Sequence, residues 1–276
     1  RHDEDPRLVT GGGRYLDDLG QAAWEAAFVR SPHAHAKVLD IDVAGALEVE
    51  GVLAVWTYED LEGNVAEPLP LLIPHPALTA PRTSYCLAKD EVNHVGEAVV
   101  MVVATDRYVA EDACSRIVVT YESMPAVVGL PASRAAVHLV HEEAPDNVSA
   151  HLLQEVGDVS AALAAAPHRL TLDLTIERSA CMPMEGKGVH ARWDADDQML
   201  RIHSSTQTST GVRAAVAAKL GLPLAQVECV TPDVGGGFGV KIMHPWPKEI
   251  LVPLAAIRLG HEVKWTEDRR EHFISS

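Results

Sequence analysis

No stretch of this chain reaches the ~18 consecutive apolar residues that a membrane helix needs. No charged-then-apolar secretory leader opens it either, so a soluble cytoplasmic protein is expected. Basic charge is also scarce. Lys and Arg number 23 against 39 Asp and Glu, a net charge of −16, and no basic stripe stands out. That balance argues against binding a nucleic-acid backbone. The four cysteines, Cys86, Cys114, Cys181 and Cys229, are scattered, with no C-x-x-C pair. A zinc site or an iron–sulfur cluster held by this chain alone is not expected. The thiols read instead as reduced, buried core residues. Internal repeats and low-complexity tracts are lacking too.

What is present is an apolar fraction of 47% in 276 residues, enough for one or two domains with a sizeable core. The chain opens on Arg1 rather than Met, and 264-KWTEDRREHFISS-276 carries no Gly, Pro or polar tail. Both ends read as cuts in a longer polypeptide, or as one piece of a processed subunit.

To about residue 127, strand and helix signals alternate. Residues 26–31, 37–43 and 52–57 read as strands, with a short helix over 44–51 stopped by Gly51. The continuous apolar run over 97–104 reads as a buried strand. Residues 106–117 have helical spacing behind an Asp N-cap, and 118–122 return as a strand. Five prolines keep 64–94 irregular. The irregular stretch 128–156 reads as an inter-domain linker.

The second segment begins near residue 157 with an Ala-rich helix ended by Pro167. The stretch 169-RLTLDLTIE-177 alternates with period 2 and reads as a strand, with Leu170, Leu172, Leu174 and Ile176 on one face. Residues 187–194 and 199–205 read as a hairpin, and 209–221 as a helix closed by Gly221. A strand over 225–233 leads into a glycine loop. A helix over 248–260, kinked or started by Pro253, and a strand over 261–268 follow.

The loop, 232-PDVGGGFGVK-241, fails the usual phosphate tests. A dinucleotide fingerprint starting at Gly235 requires glycine at 240, where Val240 sits. A P-loop requires Lys after its last glycine, and Val240 follows Gly239. Two readings stay open on the residues alone. The glycines either admit a ligand to bare N–H groups, which can form an anion- or oxo-binding concavity, or only serve tight strand–helix packing. Phe238 should pack on something, since exposing it is costly.

The loop resembles the GGGFGxK motif of the molybdenum hydroxylases, the xanthine dehydrogenase and aldehyde oxidase family, which includes aerobic carbon monoxide dehydrogenase. Further blocks resemble that family in the same order: 4-EDPRLVTGGGRYLDD-18, 30-RSPHAHAKVLDIDVAGALEVEGVLAV-55, 94-HVGEAVVMVVATDRYVAEDA-113, 205-STQTSTGVR-213 and 263-VKWTEDRREHF-273. The resemblance implies an α/β (α+β) fold. Residues 1–127 form an aldehyde oxidase/xanthine dehydrogenase α/β hammerhead domain, and 157–276 the first part of a molybdopterin-binding domain. It implies a molybdenum–molybdopterin cofactor, in the cytosine dinucleotide form, and oxidation of an aldehyde, an N-heterocycle or carbon monoxide with oxygen drawn from water. Gln207 matches the glutamine that hydrogen-bonds beside the metal's oxo ligand. Phe238 and Gly239 match the pair whose N–H groups help hold that oxygen, with Gly236 and Gly237 completing the turn. Val240 departs from the Gly or Asn found there in many members.

No catalytic residue and no metal ligand is assigned within this chain, because the family's glutamate base is implied to lie beyond residue 276. Glu185 matches a structural acidic position. His33 and His35 fall in the hammerhead block and read as structural. The implied partners are the remainder of the large subunit, an FAD-binding medium subunit and a [2Fe–2S] small subunit. Two other readings remain: a non-catalytic assembly module of such a complex, and a nucleotide-dependent dehydrogenase.

Overall fold

Seven successive residues, Ala98 to Ala104, carry only apolar side chains, and all seven are buried. A strand buried on both faces needs that continuous run. The computed structural model describes residues 5–71, 74–177, 179–242 and 246–275. Its elements are α1 (Asp5–Val9), β1 (Trp24–Arg30), β2 (Ala36–Asp42), α2 (Ala44–Leu47), β3 (Val52–Trp56), β4 (Glu91–Val92), β5 (Ala98–Ala104), α3 (Arg107–Ser115), β6 (Val118–Ser123), α4 (Leu130–Ala135), α5 (Val159–Ala165), β7 (Gly188–Asp194), β8 (Met199–Ser204), α6 (Ser209–Leu220), β9 (Val227–Val230), α7 (Pro247–Leu259), β10 (Val263–Thr266) and α8 (Arg269–Ser275).

Successive side chains of β5 point to opposite faces. Met101 and Val103 enter one core, and Val100, Val102 and Ala104 enter the other. The strand runs antiparallel between β3 and β1 in a seven-stranded sheet of order β3-β5-β1-β10-β7-β8-β9. β1 pairs parallel with β10, and β8 with β9. A smaller antiparallel sheet has the order β4-β2-β6.

The large sheet crosses the boundary expected between residues 1–127 and 157–276. Its seam is β1 against β10, with Trp24 beside Val263 and Glu25 beside Lys264. Lys264 Nζ lies 3.3 Å from Glu25 Oε1. One core then serves both segments: Leu87 and Met101 share it with Ile250, Leu251 and Trp265. Lys219 on α6 reinforces the join. Its Nζ donates to the carbonyls of Asn64, Glu67 and Pro68 at 2.7, 2.6 and 2.7 Å.

Most expected elements form within a few residues of their expected bounds. Asp106 caps α3 by accepting the Val109 N–H at 3.0 Å. Pro253 sits inside α7 rather than starting it, and Pro247 takes the first-turn position, where its missing N–H leaves no intrahelical bond unmade. The main departure is 169–177, which is not assigned as a strand. Alternation marks a strand with one buried face, but a strand also needs an edge to pair with. None of the described residues supplies one. The short helices α1, α4 and α8 have too few turns to leave a periodic signal. Among the described residues no helix is long and apolar enough to cross a membrane.

Candidate functional site

The glycine loop leaves the end of β9, and each glycine in it answers a different constraint. Gly236 and Gly239 have φ of 104° and 91°, a region that a β-carbon penalises. Gly235 and Gly237 are required by crowding. A β-carbon on Gly235 would lie 2.5 Å from Glu185 Cβ, and one on Gly237 would lie 2.5 Å from Gln207 Cδ. Phe238 itself has φ 50°, uncommon for a bulky residue. The turn closes through Val240 N–H donating to Gly237 O at 3.1 Å and Ile242 N–H to Gly239 O at 3.2 Å.

The residues between β8 and α6 clamp this loop from one side. Gln207 Oε1 accepts the Gly239 N–H at 3.0 Å. The Gln207 N–H donates to Lys241 O at 3.0 Å, and Thr206 Oγ1 donates to the same carbonyl at 2.9 Å. Gln207, Gly237 and Gly239 therefore meet in one place.

Glu185 holds the loop from below. Its Oε2 accepts from Gly235 N–H at 2.8 Å, Ser205 Oγ at 2.7 Å and Lys241 Nζ at 2.9 Å. Lys241 also donates to Ser205 Oγ at 2.7 Å. The Lys241 side chain is 0% exposed. Burial lowers its pKa below the ordinary lysine value, and the Glu185 carboxylate opposes that shift. A carboxylate with three donors on one oxygen is a brace, which fits the structural role expected of Glu185.

A second buried ionic cluster lies behind the first. Lys187 Nζ donates to Glu267 Oε1 at 3.1 Å, and His272 Nδ1 lies 3.0 Å from Glu267 Oε2. Burial opposes ionisation of Glu267. The charge and N–H of Lys187, the charge of Lys248 and the His272 bond outweigh it and bring the pKa down to about 2. Lys248 Nζ sits 4.9 Å and 4.8 Å from the ring centroids of Trp246 and Trp265. Burial, then the charges of Arg30 and Lys187, push its pKa well below the ordinary value. At the start of the loop, Asp233 takes both Arg7 guanidinium N–H groups at 2.6 and 2.7 Å, and the Arg14 N–H at 2.7 Å. Those bonds hold its carboxyl below the usual carboxylate range.

Comparison with known proteins identifies a family for the chain. Residues 10–125 match the aldehyde oxidase and xanthine dehydrogenase a/b hammerhead domain, and residues 140–276 match the molybdopterin cofactor-binding domain. The chain belongs to the molybdenum hydroxylase family. The nicotine 6-hydroxylase large subunit of Paenarthrobacter nicotinovorans is 39% identical over 275 residues, which are 99% of this chain and 33% of that protein. The carbon monoxide dehydrogenase large chain of Hydrogenophaga pseudoflava is 32% identical, over 98% of this chain and 34% of that one. Quinoline 2-oxidoreductase from Pseudomonas putida 86 superposes with a TM-score of 0.85 at 34% identity, covering 98% of this chain and 34% of that structure. The chain thus spans about a third of the length of the curated relatives it matches.

The residues present fit a molybdopterin group. The charged donors at the loop, Lys241 and Arg7, are taken by Glu185 and Asp233, and those along Gly236–Gly239 are neutral: backbone N–H groups beside the Gln207 amide. Among the described residues no acceptor takes the N–H of Gly236, Gly237 or Phe238. A β-carbon on Gly239 would have no neighbour within 4 Å, so that side of the loop is open. Among the described residues no group of three His, Cys, Asp or Glu could hold a metal ion, and a cofactor that brings its own metal ligands requires none.

Two expectations are corrected. Phe238 is 67% exposed. Its left-handed backbone turns the ring outward over Gly236, where a β-carbon would come within 2.7 Å of Phe238 Cε2. The cysteines are not uniformly buried. Burial pushes the Cys86, Cys114 and Cys229 thiols up to about 12, but Cys181 is exposed in the irregular stretch before β7. His35 behaves as expected, with its ring nitrogens 3.0 Å from Pro125 O and 2.9 Å from Glu91 Oε1. His33 packs on Tyr121 at 4.8 Å. Lys241 and Ser205 were overlooked by sequence reasoning, although both lie inside motif blocks already recognised.

Proposed function

We propose that this chain forms part of the cofactor-holding shell of a molybdenum hydroxylase large subunit, an oxidoreductase that oxidises an aldehyde, an N-heterocycle or carbon monoxide with oxygen drawn from water. The observation that carries this reading is the Gln207–Gly239 clamp at 3.0 Å, beside N–H groups left without an acceptor among the described residues. The bound molybdenum–molybdopterin, in its cytosine dinucleotide form, supplies the two-electron chemistry.

This chain's own residues bind and orient. With Oε1 committed to Gly239, Gln207 keeps its Nε2 group to donate, and the N–H of Phe238 donates alongside. Neutral donors stabilise electron-rich groups of the cofactor without competing for the metal. Glu185 and Lys241 fix the backbone from which those N–H groups project. Glu185 is spent as a brace, so the proton-abstracting base belongs to the rest of the large subunit. Electrons leave through a [2Fe–2S] small subunit and an FAD-binding medium subunit of a cytoplasmic complex. The four cysteines of this chain lie far apart in sequence, and its relatives are named as large subunits.

The test uses the native particle containing this chain: metal content by mass spectrometry, and nucleotide released by acid. Molybdenum near one per copy with a cytosine nucleotide is expected. Substrate turnover without either would remove the reading. Gln207→Ala should then lower molybdenum retention or turnover in a particle that still assembles. An unaffected particle would leave the chain as an assembly module only.

A further inference from the structure

The stretch 169-RLTLDLTIE-177 has the pattern of a half-buried strand and the surroundings of none. All nine residues are exposed. Leu170, Leu172, Leu174 and Ile176 are 91%, 68%, 77% and 92% exposed. Among the described residues no backbone hydrogen bond reaches 169–177. An apolar row of this kind beside unpaired N–H and C=O groups is a template for strand addition.

We propose that residues 169–177 form a strand completed by the part of the same large subunit that lies outside these 276 residues, which pairs with its edge and buries the Leu170–Leu172–Leu174–Ile176 face. Three observations select that occupant. The relatives are about three times as long as this chain, which covers 33% and 34% of them. The strand lies inside residues 140–276, the match to the molybdopterin cofactor-binding domain, so its empty edge belongs to that domain. Six residues beyond it in sequence, Pro183 lies against the glycine loop, where its Cβ would be 3.1 Å from a β-carbon on Gly236. A second copy is disfavoured, because a net charge of −16 repels its like. The identity of the occupant rests on the large-subunit reading above.

Hydrogen exchange on the assembled complex tests the strand. Amides in peptides covering 169–177 should exchange about 100-fold or more slowly than the free-peptide rate, as paired strand amides do. Exchange at the free-peptide rate overturns the proposal. A photo-cross-linking residue in place of Thr171 then identifies the neighbour, since adjacent strands lie about 4.8 Å apart. Mixing isotope-labelled and unlabelled copies separates links within a chain from links between chains. Links to the same polypeptide outside residues 1–276 support the proposal, and links to a second copy or another subunit refute it. Molybdenum content of the same sample keeps the two readings apart. Unprotected amides in a molybdenum-loaded particle sink the strand alone. Protected amides in an active, molybdenum-free particle sink the proposed function alone.

Discussion

Replacing Glu185 by Gln tests whether the glycine loop is braced by a buried ion pair. The substitution keeps the shape and one oxygen acceptor but removes the charge facing Lys241. In the parent the Nζ–Oε2 distance is 2.9 Å, with side-chain exposures of 0% for Lys241 and 15% for Glu185. Removing one partner of a buried pair costs about 3–5 kcal/mol, because the other charge is stranded. Gln can still accept from Gly235 or Ser205, so the lower end, about 3 kcal/mol, is expected. At roughly 2–4 °C per kcal/mol for a domain of this size, the melting temperature should fall by roughly 6–12 °C. The assay is thermal unfolding of the large subunit carrying this chain, followed by circular dichroism. Adding Lys241→Met should recover part of the loss, with a coupling of about 2 kcal/mol. The pH dependence has a definite sign. Burial holds the Lys241 pKa below the ordinary lysine value. Between the folded and unfolded values the unfolded chain binds more protons, so stability rises with pH there. Removing the Glu185 charge lowers the folded value further. The deficit of Glu185→Gln should therefore be largest near neutral pH and shrink toward about pH 10. A melting shift under roughly 2 °C, with no coupling to Lys241 and no change of pH slope, would refute the reasoning.

Two further outcomes follow from the same geometry. Gly237→Ala would place a β-carbon 2.5 Å from Gln207 Cδ, and the flexible Gln207 side chain would swing away from Gly239. A stability loss of only about 1 kcal/mol is expected for that hydrogen bond, together with molybdenum retention no better than in Gln207→Ala. Metal content per copy checks it, and full retention would show that the clamp is dispensable. Glu267 has its pKa lowered from 4.5 to about 2. Its stabilisation is complete above the unfolded value and is lost as pH falls through the folded one. The parent should lose about 3 kcal/mol between those values, and Glu267→Gln should be less stable at neutral pH but flatter across that acid window. Denaturant titrations at several acidic pH values decide it. Equal slopes in the two proteins would remove Glu267 as a source of acid lability.

Local signals were legible wherever one residue type answers one local demand. The unbroken apolar run at Ala98–Ala104 announced a strand buried on both faces. Asp106 announced the start of α3, and Gly221 the end of α6, where it takes φ 66°. The glycine loop was legible as a place of close approach, and the motif resemblance tied Gln207 to it. The brace was less legible. Glu185, Ser205 and Lys241 are separated by 20 and 36 residues, and nothing local in any of them reveals that one carboxylate oxygen serves all three donors. Phe238 misled because cost of exposure is a statement about a side chain, whereas its direction is set by a backbone φ of 50°.

By itself the sequence determined most of the longer elements, the glycine positions and the family, because each is written in short-range pattern or in motifs along the chain. Only the tertiary structure decided that β1 joins β10, so that two segments expected to be separate share a sheet and a core. Only it decided that 169–177 finds no partner among the described residues. Strand pairing is a contact between distant segments, and a strand's own alternation specifies which face is to be buried without specifying what will bury it.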